Sequence, residues 1–335
     1  MNLKKEKVLV TGASGYIALH CISELLNLGY KVKGSLRDLS KENEVRCSLD
    51  KKLGEENLEF CQLNLLSDDG WLEASSDCDY LMHIASPFVI KEPQNEDILI
   101  KPAVEGTLRA FNAAKHSSIK KVILTSSMAS IAYGHNKEIV NNKDWTDVSK
   151  NIGAYIKSKT LSEKTAWDFV NNQTDIDFKL TTIHPGMVFG PVLNNNSDGA
   201  SLNLILNLIK GKFPALPDLY FTVVDVRDVA KLHAESLKNT ASDNKRIIAT
   251  SQNGIAFLEI SKLLRDLGFK DSPINLIPNK VINSLAPFNK EMRSTSFMIK
   301  RGCYSVDISE TKSLFNWEPI NLKQTLEDMV NSIKL

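Results

Sequence analysis

The stretch Lys7-Val8-Leu9-Val10-Thr11-Gly12-Ala13-Ser14-Gly15-Tyr16-Ile17-Ala18 runs from a short apolar strand through a glycine turn into a helical pattern. Adjacent Val and Leu side chains suit a buried strand, and the apolar spacing over residues 16–28 suits a helix lying on it. Between the two, Gly12 and Gly15 lack Cβ atoms, so backbone N–H groups can approach an anion that the helix N-terminus also attracts. Ala18 is small enough for the helix to sit against a sheet. In this order the elements make a pyrophosphate cradle for a dinucleotide, built from Gly12, Ser14, Gly15, Tyr16 and Ile17.

The alternation continues outward. Residues 30–34 read as the next strand and 41–53 as the next helix, with further strands over 58–63, 80–84, 121–125 and 178–183. Helical stretches fall near 97–116 and 155–170. Repeated βα units imply an α/β protein, a Rossmann doubly wound parallel sheet with helices on both faces. From Pro185 the rhythm breaks, with Pro191, Pro214, Pro217 and a polar loop over 194–199. Helical patterns then resume over 201–209, 226–237, 258–267 and 322–333. Residues 1–184 are expected to form the dinucleotide-binding core that carries the catalytic residues. Residues 185–335 are expected to form a smaller, mostly helical C-terminal substrate lobe, with some segments returning to the core.

Over the 335 residues, 41 Lys and Arg nearly cancel 40 Asp and Glu, which leaves no overall field to recruit nucleic acid or an anionic membrane. The cysteines (Cys21, Cys47, Cys61, Cys78, Cys303) are scattered, with no Cys-x-x-Cys pair, so they read as reduced thiols and not as metal ligands. The apolar run Val8-Leu9-Val10 is too short for an export signal, and no run reaches the roughly 18 residues of a spanning helix. A cytoplasmic protein with no membrane, nucleic-acid or metal partner is expected.

The end of the second strand bears on which dinucleotide binds. An acidic residue there takes the ribose hydroxyls of NAD, but the position is Leu36, followed by Arg37. A guanidinium suits a 2′-phosphate through paired charge-assisted bonds, so NADP(H) is favoured over NAD(H), with Lys41 assisting. The alternative is that Asp38 binds the ribose and NAD is used.

Tyr155 and Lys159 are one helical turn apart and share a face. A phenol with an ordinary pKa of about 10 exchanges protons poorly at neutral pH until an ammonium stabilises its phenolate, which Lys159 can do. The pair follows the strand ending in Leu124-Thr125-Ser126-Ser127.

Five motifs occur in order: Thr11-Gly12-x-x-Gly15-x-x-Ala18, His83-Ile84-Ala85-Ser86-Pro87, Leu124-Thr125-Ser126-Ser127, Tyr155-x-x-x-Lys159 and His184-Pro185-Gly186-Met187-Val188-Phe189-Gly190-Pro191. Together they resemble the extended short-chain dehydrogenases/reductases. Within that group the chain is most similar to the branch of dihydroflavonol 4-reductases, cinnamoyl-CoA reductases and yeast methylglyoxal and ketone reductases. The resemblance implies an NADPH-dependent reductase of an aldehyde or ketone, a monomer or homodimer.

By the same resemblance Ser127 polarises the carbonyl, Tyr155 delivers the proton, and Lys159 holds the nicotinamide ribose and tunes Tyr155. Ser126 has no catalytic part. Ala85 and Ser86 line the cofactor ribose, and Pro185 and Val188 border the nicotinamide amide. Asn64 and Leu65 stand near the adenine, where the family usually has Asp then Leu; Asn keeps an acceptor oxygen and loses the charge. Phe88 and Ile152 flank the substrate carbonyl, and with Met187 and Tyr133 they imply an apolar substrate pocket. His83 and His184 are expected to be structural, as are Trp145, Trp167 and Trp317. Two rival functions share the scaffold: an NAD-dependent nucleotide-sugar epimerase or dehydratase, and a dinucleotide-sensing regulator, which would have no need of Ser127, Tyr155 and Lys159 together.

Overall fold

A computed structural model describes residues 5–49, 56–87, 92–193 and 199–333. Seven strands form one parallel sheet: β1 (Lys7–Val10), β2 (Lys31–Leu36), β3 (Leu58–Gln62), β4 (Tyr80–His83), β5 (Lys121–Thr125), β6 (Lys179–Pro185) and β7 (Lys245–Ala249). Their spatial order is β7-β6-β5-β4-β1-β2-β3, the doubly wound arrangement. The strand order reverses between β1 and β4, where Val10 pairs with Gly34 on one side and Met82 on the other. A ligand crevice opens beyond the strand C-termini at such a switch point.

The helices are α1 (Tyr16–Asn27), α2 (Glu42–Ser48), α3 (Trp71–Ser75), α4 (Asp97–Lys115), α5 (Ala154–Asn171), α6 (Ala200–Ile209), α7 (Val226–Ser236), α8 (Phe257–Asp266), α9 (Asn279–Leu285), α10 (Lys290–Arg301), α11 (Ser309–Phe315) and α12 (Leu322–Ser332). Alternating strand side chains feed separate cores on the two faces of the sheet. Val8, Val10, Met82 and Ile123 pack with α1 and α7, whereas Leu9, Leu81, Val122 and Leu124 pack with α3, α4 and α5. A third core, including Phe189, Ile205, Leu208, Phe257, Ile260 and Met329, binds α6, α8 and α12 into the C-terminal lobe.

The second half of the chain returns to the core in particular places. β7 closes the sheet beside β6, and α7 packs on α1. The sequence of β7, Lys245-Arg246-Ile247-Ile248-Ala249, is short and begins with two charged residues, so no strand is expected there. The helix expected over 41–53 starts as a tight turn at Leu39–Lys41 and continues as α2 to Ser48, after which Leu49 is extended. Residues 50–53 lie outside the described part of the chain. No helix among the described residues is long and apolar enough to cross a membrane.

The helix carrying Tyr155 and Lys159 is held by aromatic packing. On α4, Phe111 is fully buried and meets Phe169 of α5 edge-on at 5.7 Å and Phe178 at 5.8 Å. Phe111→Ala is expected to destabilise the protein by about 3–5 kcal/mol, the sum of lost transfer energy and the cavity left behind. Urea unfolding followed by circular dichroism measures it, and a loss below about 1 kcal/mol would contradict this account of the packing.

Candidate active site

The glycine turn is fastened to the end of β4. Thr11 Oγ1 accepts the N–H groups of Ile84 and Ala85, each at 3.0 Å, and lies 3.0 Å from His83 Nδ1. With its oxygen accepting two backbone donors, the Thr11 hydroxyl gives its own proton to Nδ1, so the His83 ring is neutral and carries its proton on Nε2. Burial, helped by the Lys159 ammonium, pushes the His83 imidazole down to about 3.

Gly12 has φ +72°, and a Cβ there would lie 3.1 Å from the Ala85 Cα and Cβ, so this turn accommodates only glycine. α1 begins after Gly15 with no capping side chain and no acidic residue in its first turn, leaving its N-terminal donors directed at the crevice. The cradle therefore fits a pyrophosphate.

At the far end, Arg37 and Lys41 are exposed and line the same cavity. Asp38 Oδ1 accepts the Ser40 N–H at 2.9 Å, and its bonds to Ser40 hold the carboxyl below its usual range. That carboxylate thus caps the turn after β2, which weakens the case for it as a ribose ligand. Ser35 Oγ accepts from the Gly12 N–H at 3.2 Å. Asn64 Oδ1 accepts from the Leu66 N–H at 3.0 Å.

At the centre, Ser127 half-faces the cavity and is hydrogen-bonded through its side chain to Tyr155. Burial raises the Tyr155 hydroxyl above its ordinary range, and the bond with Ser127 opposes that rise. Lys159 Nζ donates to the Thr125 carbonyl at 3.1 Å. Burial pushes the Lys159 ammonium down to about 8, against the opposing attraction of Glu163. The N-terminus of α5 is capped from a distant segment, with Ala154 N–H donating to Glu92 Oε1 at 2.8 Å. Ser126 also lines the cavity, but its hydroxyl donates to Glu163 Oε2 at 2.7 Å.

A single cavity of about 1620 Å³ brings together Gly12, Ser14, Gly15, Tyr16, Ile17, Arg37, Lys41, Asn64, Leu65, Ala85, Ser86, Ser127, Tyr133, Tyr155, Lys159, Pro185, Met187 and Val188. Tyr16 also donates its hydroxyl proton to the Gly190 carbonyl at 2.7 Å, joining α1 to the loop after Phe189. Ile152 is buried and lies outside the cavity wall. Phe88 lies outside the described residues.

Beyond Tyr155 the wall is mostly apolar, with Phe213, Leu219, Phe221, Phe257, Ile282 and Met298, interrupted by Thr222, Glu291 and Thr295. Tyr133 there shares a hydroxyl chain with Tyr304, which also bonds Thr222. Sequence reasoning missed α9 and α10, which close this end, and it missed the buried pair Glu163 and Arg246. Glu163 lies one turn past Lys159, but its partner Arg246 is 83 residues further along, so no local pattern links them. His184 and Trp167 pack as expected of structural residues, and each also bonds Glu163.

Fold and cavity together define a dinucleotide-binding α/β protein of the doubly wound type. The profile of the NAD dependent epimerase/dehydratase family matches residues 8–249. A cinnamoyl-CoA reductase from Medicago truncatula is 37% identical over 272 residues, covering 78% of this chain and 80% of the relative. An NADPH-dependent methylglyoxal reductase from Saccharomyces cerevisiae is 28% identical and covers 97% of both chains. Among solved structures, Gre2 from Candida albicans in complex with NADPH matches with a TM-score of 0.80 at 26% identity, over 98% of each chain. The chain belongs to the NAD dependent epimerase/dehydratase family, the extended short-chain dehydrogenases/reductases.

His83 makes the anchoring of the turn pH-dependent. Its folded pKa is about 3, below an unfolded value near 6.5, so the unfolded chain binds the extra proton between those limits. The stability His83 contributes is complete above pH about 6.5 and is lost as pH falls toward 3, by up to about 1.4 kcal/mol per pH unit. Urea unfolding of wild type and His83→Gln at pH 7, 6 and 5 is expected to show a shallower slope in the variant. Parallel slopes would mean that His83 is not the neutral acceptor described.

Proposed function

We propose that this chain is an NADPH-dependent reductase of an apolar aldehyde or ketone, with Ser127, Tyr155 and Lys159 as its catalytic residues. The observation that carries the reading is the single cavity, with Arg37 and Lys41 at one end, Tyr155 and Lys159 at its centre and an apolar chamber beyond. The relatives named as NADPH-dependent reductases support it.

When bound, the dinucleotide supplies the hydride. Gly12, Ser14, Gly15 and the α1 N-terminus hold its pyrophosphate, Arg37 and Lys41 its 2′-phosphate, Asn64 and Leu65 its adenine, and Ala85, Ser86, Pro185 and Val188 its nicotinamide half. Ser127 donates a hydrogen bond to the substrate oxygen. Tyr155 transfers its hydroxyl proton to that oxygen as negative charge builds there. The Lys159 ammonium stabilises the phenolate that Tyr155 becomes. Because Ser126 is committed to Glu163, Ser127 is the member of the pair free to face substrate. Met187, Tyr133 and the aromatic wall exclude water and favour an aromatic or medium-length carbonyl compound.

We assign residues 1–184 to the cofactor half and 185–335 mainly to the substrate lobe, with α7 and β7 serving the core. A cytoplasmic monomer or homodimer is the setting that fits this reading.

The test follows the reduced nicotinamide band with NADPH and with NADH against aldehydes, diketones, dihydroflavonols and acyl-CoA thioesters. Wild type is expected to oxidise NADPH with one of these classes, and Tyr155→Phe to lose at least about 100-fold in kcat. Arg37→Ala is expected to raise the KM for NADPH about tenfold or more and to leave that for NADH nearly unchanged. Release of tightly bound NAD on denaturation, with no carbonyl reduced, would favour the epimerase or dehydratase reading instead.

A further inference from the structure

Glu163 lies on α5 one turn beyond Lys159, fully buried, and takes no part in the reaction just described. A carboxylate at such depth persists only when it is paired and fully hydrogen-bonded. Its Oε2 accepts from the Ser126 hydroxyl at 2.7 Å and the Ser130 hydroxyl at 2.5 Å. Its Oε1 accepts from His184 Nε2 at 2.8 Å, Arg246 Nε at 2.7 Å, Trp167 Nε1 at 3.1 Å and the Thr182 hydroxyl at 3.3 Å. Since a carboxylate can only accept, His184 carries a proton on Nε2.

These donors sit on the segments that carry the reaction. Ser126 precedes Ser127 at the end of β5; His184 precedes Pro185 at the end of β6; Glu163 itself shares α5 with Tyr155 and Lys159. A cooperative network of this kind fixes each member relative to the others more firmly than separate bonds would.

The charged and titratable groups facing this carboxylate are His184 from β6, Arg246 from β7 and Lys159 from its own helix. On the other side of Lys159 stands the neutral His83 of β4, and Tyr155 lies one turn back along α5. The Arg246 guanidinium also donates to the carbonyls of Asn142 at 2.8 Å and Asp144 at 2.6 Å, and it stacks 3.9 Å from the centre of the Trp145 ring. It is therefore shared between Glu163 and the 142–145 loop. Burial would raise the Glu163 carboxyl, yet His184 and Arg246 hold it well below the usual carboxylate range, so it stays charged at neutral pH.

We propose that Glu163 is the positioning residue of the catalytic centre: a buried carboxylate that pins the Ser126–Ser127 and His184–Pro185 segments to α5 and supplies the counter-charge for the Lys159 ammonium. The proposal rests on the reductase reading for its kinetic readout. Without the anion, burial alone acts on Lys159, which then gives up its proton at lower pH and no longer supports Tyr155.

The experiment compares wild type, Glu163→Gln and Glu163→Gln/Arg246→Met in pH profiles of kcat and KM from pH 6 to 9. The basic limb is expected to fall about one pH unit lower in Glu163→Gln, so that kcat drops roughly fivefold at pH 8 and changes little at pH 6. At pH 6, where Lys159 keeps its proton in both proteins, KM for NADPH is expected to stay within about twofold. A purely structural role would instead lower activity by the same factor at every pH. The double variant leaves no unpaired guanidinium, so it provides the reading where the single variant does not fold, and it is expected to keep the displaced limb. Profiles superimposable on wild type in a folded variant, or wild-type kcat restored in the double variant, would overturn the proposal and leave Glu163 as a counter-ion for Arg246. If wild type reduces no carbonyl, the reductase reading fails separately. The same displacement is then sought in the pH dependence of NADPH binding by fluorescence, and its absence there would overturn the proposal too.

Discussion

A parallel sheet buried on both faces has its sides closed by helices, so the row of strand C-termini is the edge left open for binding. Here that edge supplies much of the cavity wall, with the glycine turn after β1, Arg37 after β2, Ala85 after β4, Ser127 after β5 and Pro185 at the end of β6, while Tyr155 and Lys159 come from α5. The close approach of Gly12 to Ala85 and the Thr11 bonds to Ile84 and Ala85 join the two strands at which the order reverses. If that join loosens, the cradle separates from the half of the crevice that holds Ser127 and Tyr155. Position along the crevice thus follows from strand order, with no long-range signal needed to set it.

This explains which parts of the fold and site were readable from the sequence. β1 through β6 and the helices α1, α2, α4 and α5 each carry their own periodicity, whereas the short α3 does not, and the cradle and the Tyr155–Lys159 spacing are local patterns. β7 and the Glu163–Arg246 pair are not local. A five-residue strand with a charged start has no recognisable rhythm, and a buried Glu beside a Lys on a helix reads as a solvated surface pair until the fold brings β7 over it. Ile152 illustrates the converse: its apolar character fitted a substrate wall, yet it is buried away from the cavity. Hydrophobicity states that a residue is covered, and it does not state by what.

The two adjacent serines show how little separates a buried structural role from a place in the cavity wall. Ser127 is extended, with φ −165°, and its hydroxyl reaches Tyr155, while the preceding residue's side chain points to the opposite side of the backbone and meets Glu163. An extended segment alternates its side chains, so one of two neighbouring serines must face the cavity and the other the interior. The sequence places two hydroxyls there; the buried carboxylate determines which of them is spent on structure.

The substrate end is governed by different constraints from the cofactor end. Phosphate and ribose recognition needs specific donors, glycine conformations and charges, so few residue types fit at Gly12 or Arg37. The chamber beyond needs only apolar side chains that fill space, and those same types build the lobe's core around Phe189 and Ile260. Exchanges among large apolar residues of similar volume cost less than about 1.5 kcal/mol, so the chamber can change shape while the fold stays stable. In this chain that leaves α9, α10 and the Phe213–Phe221 segment as the part of the cavity wall most open to such exchange.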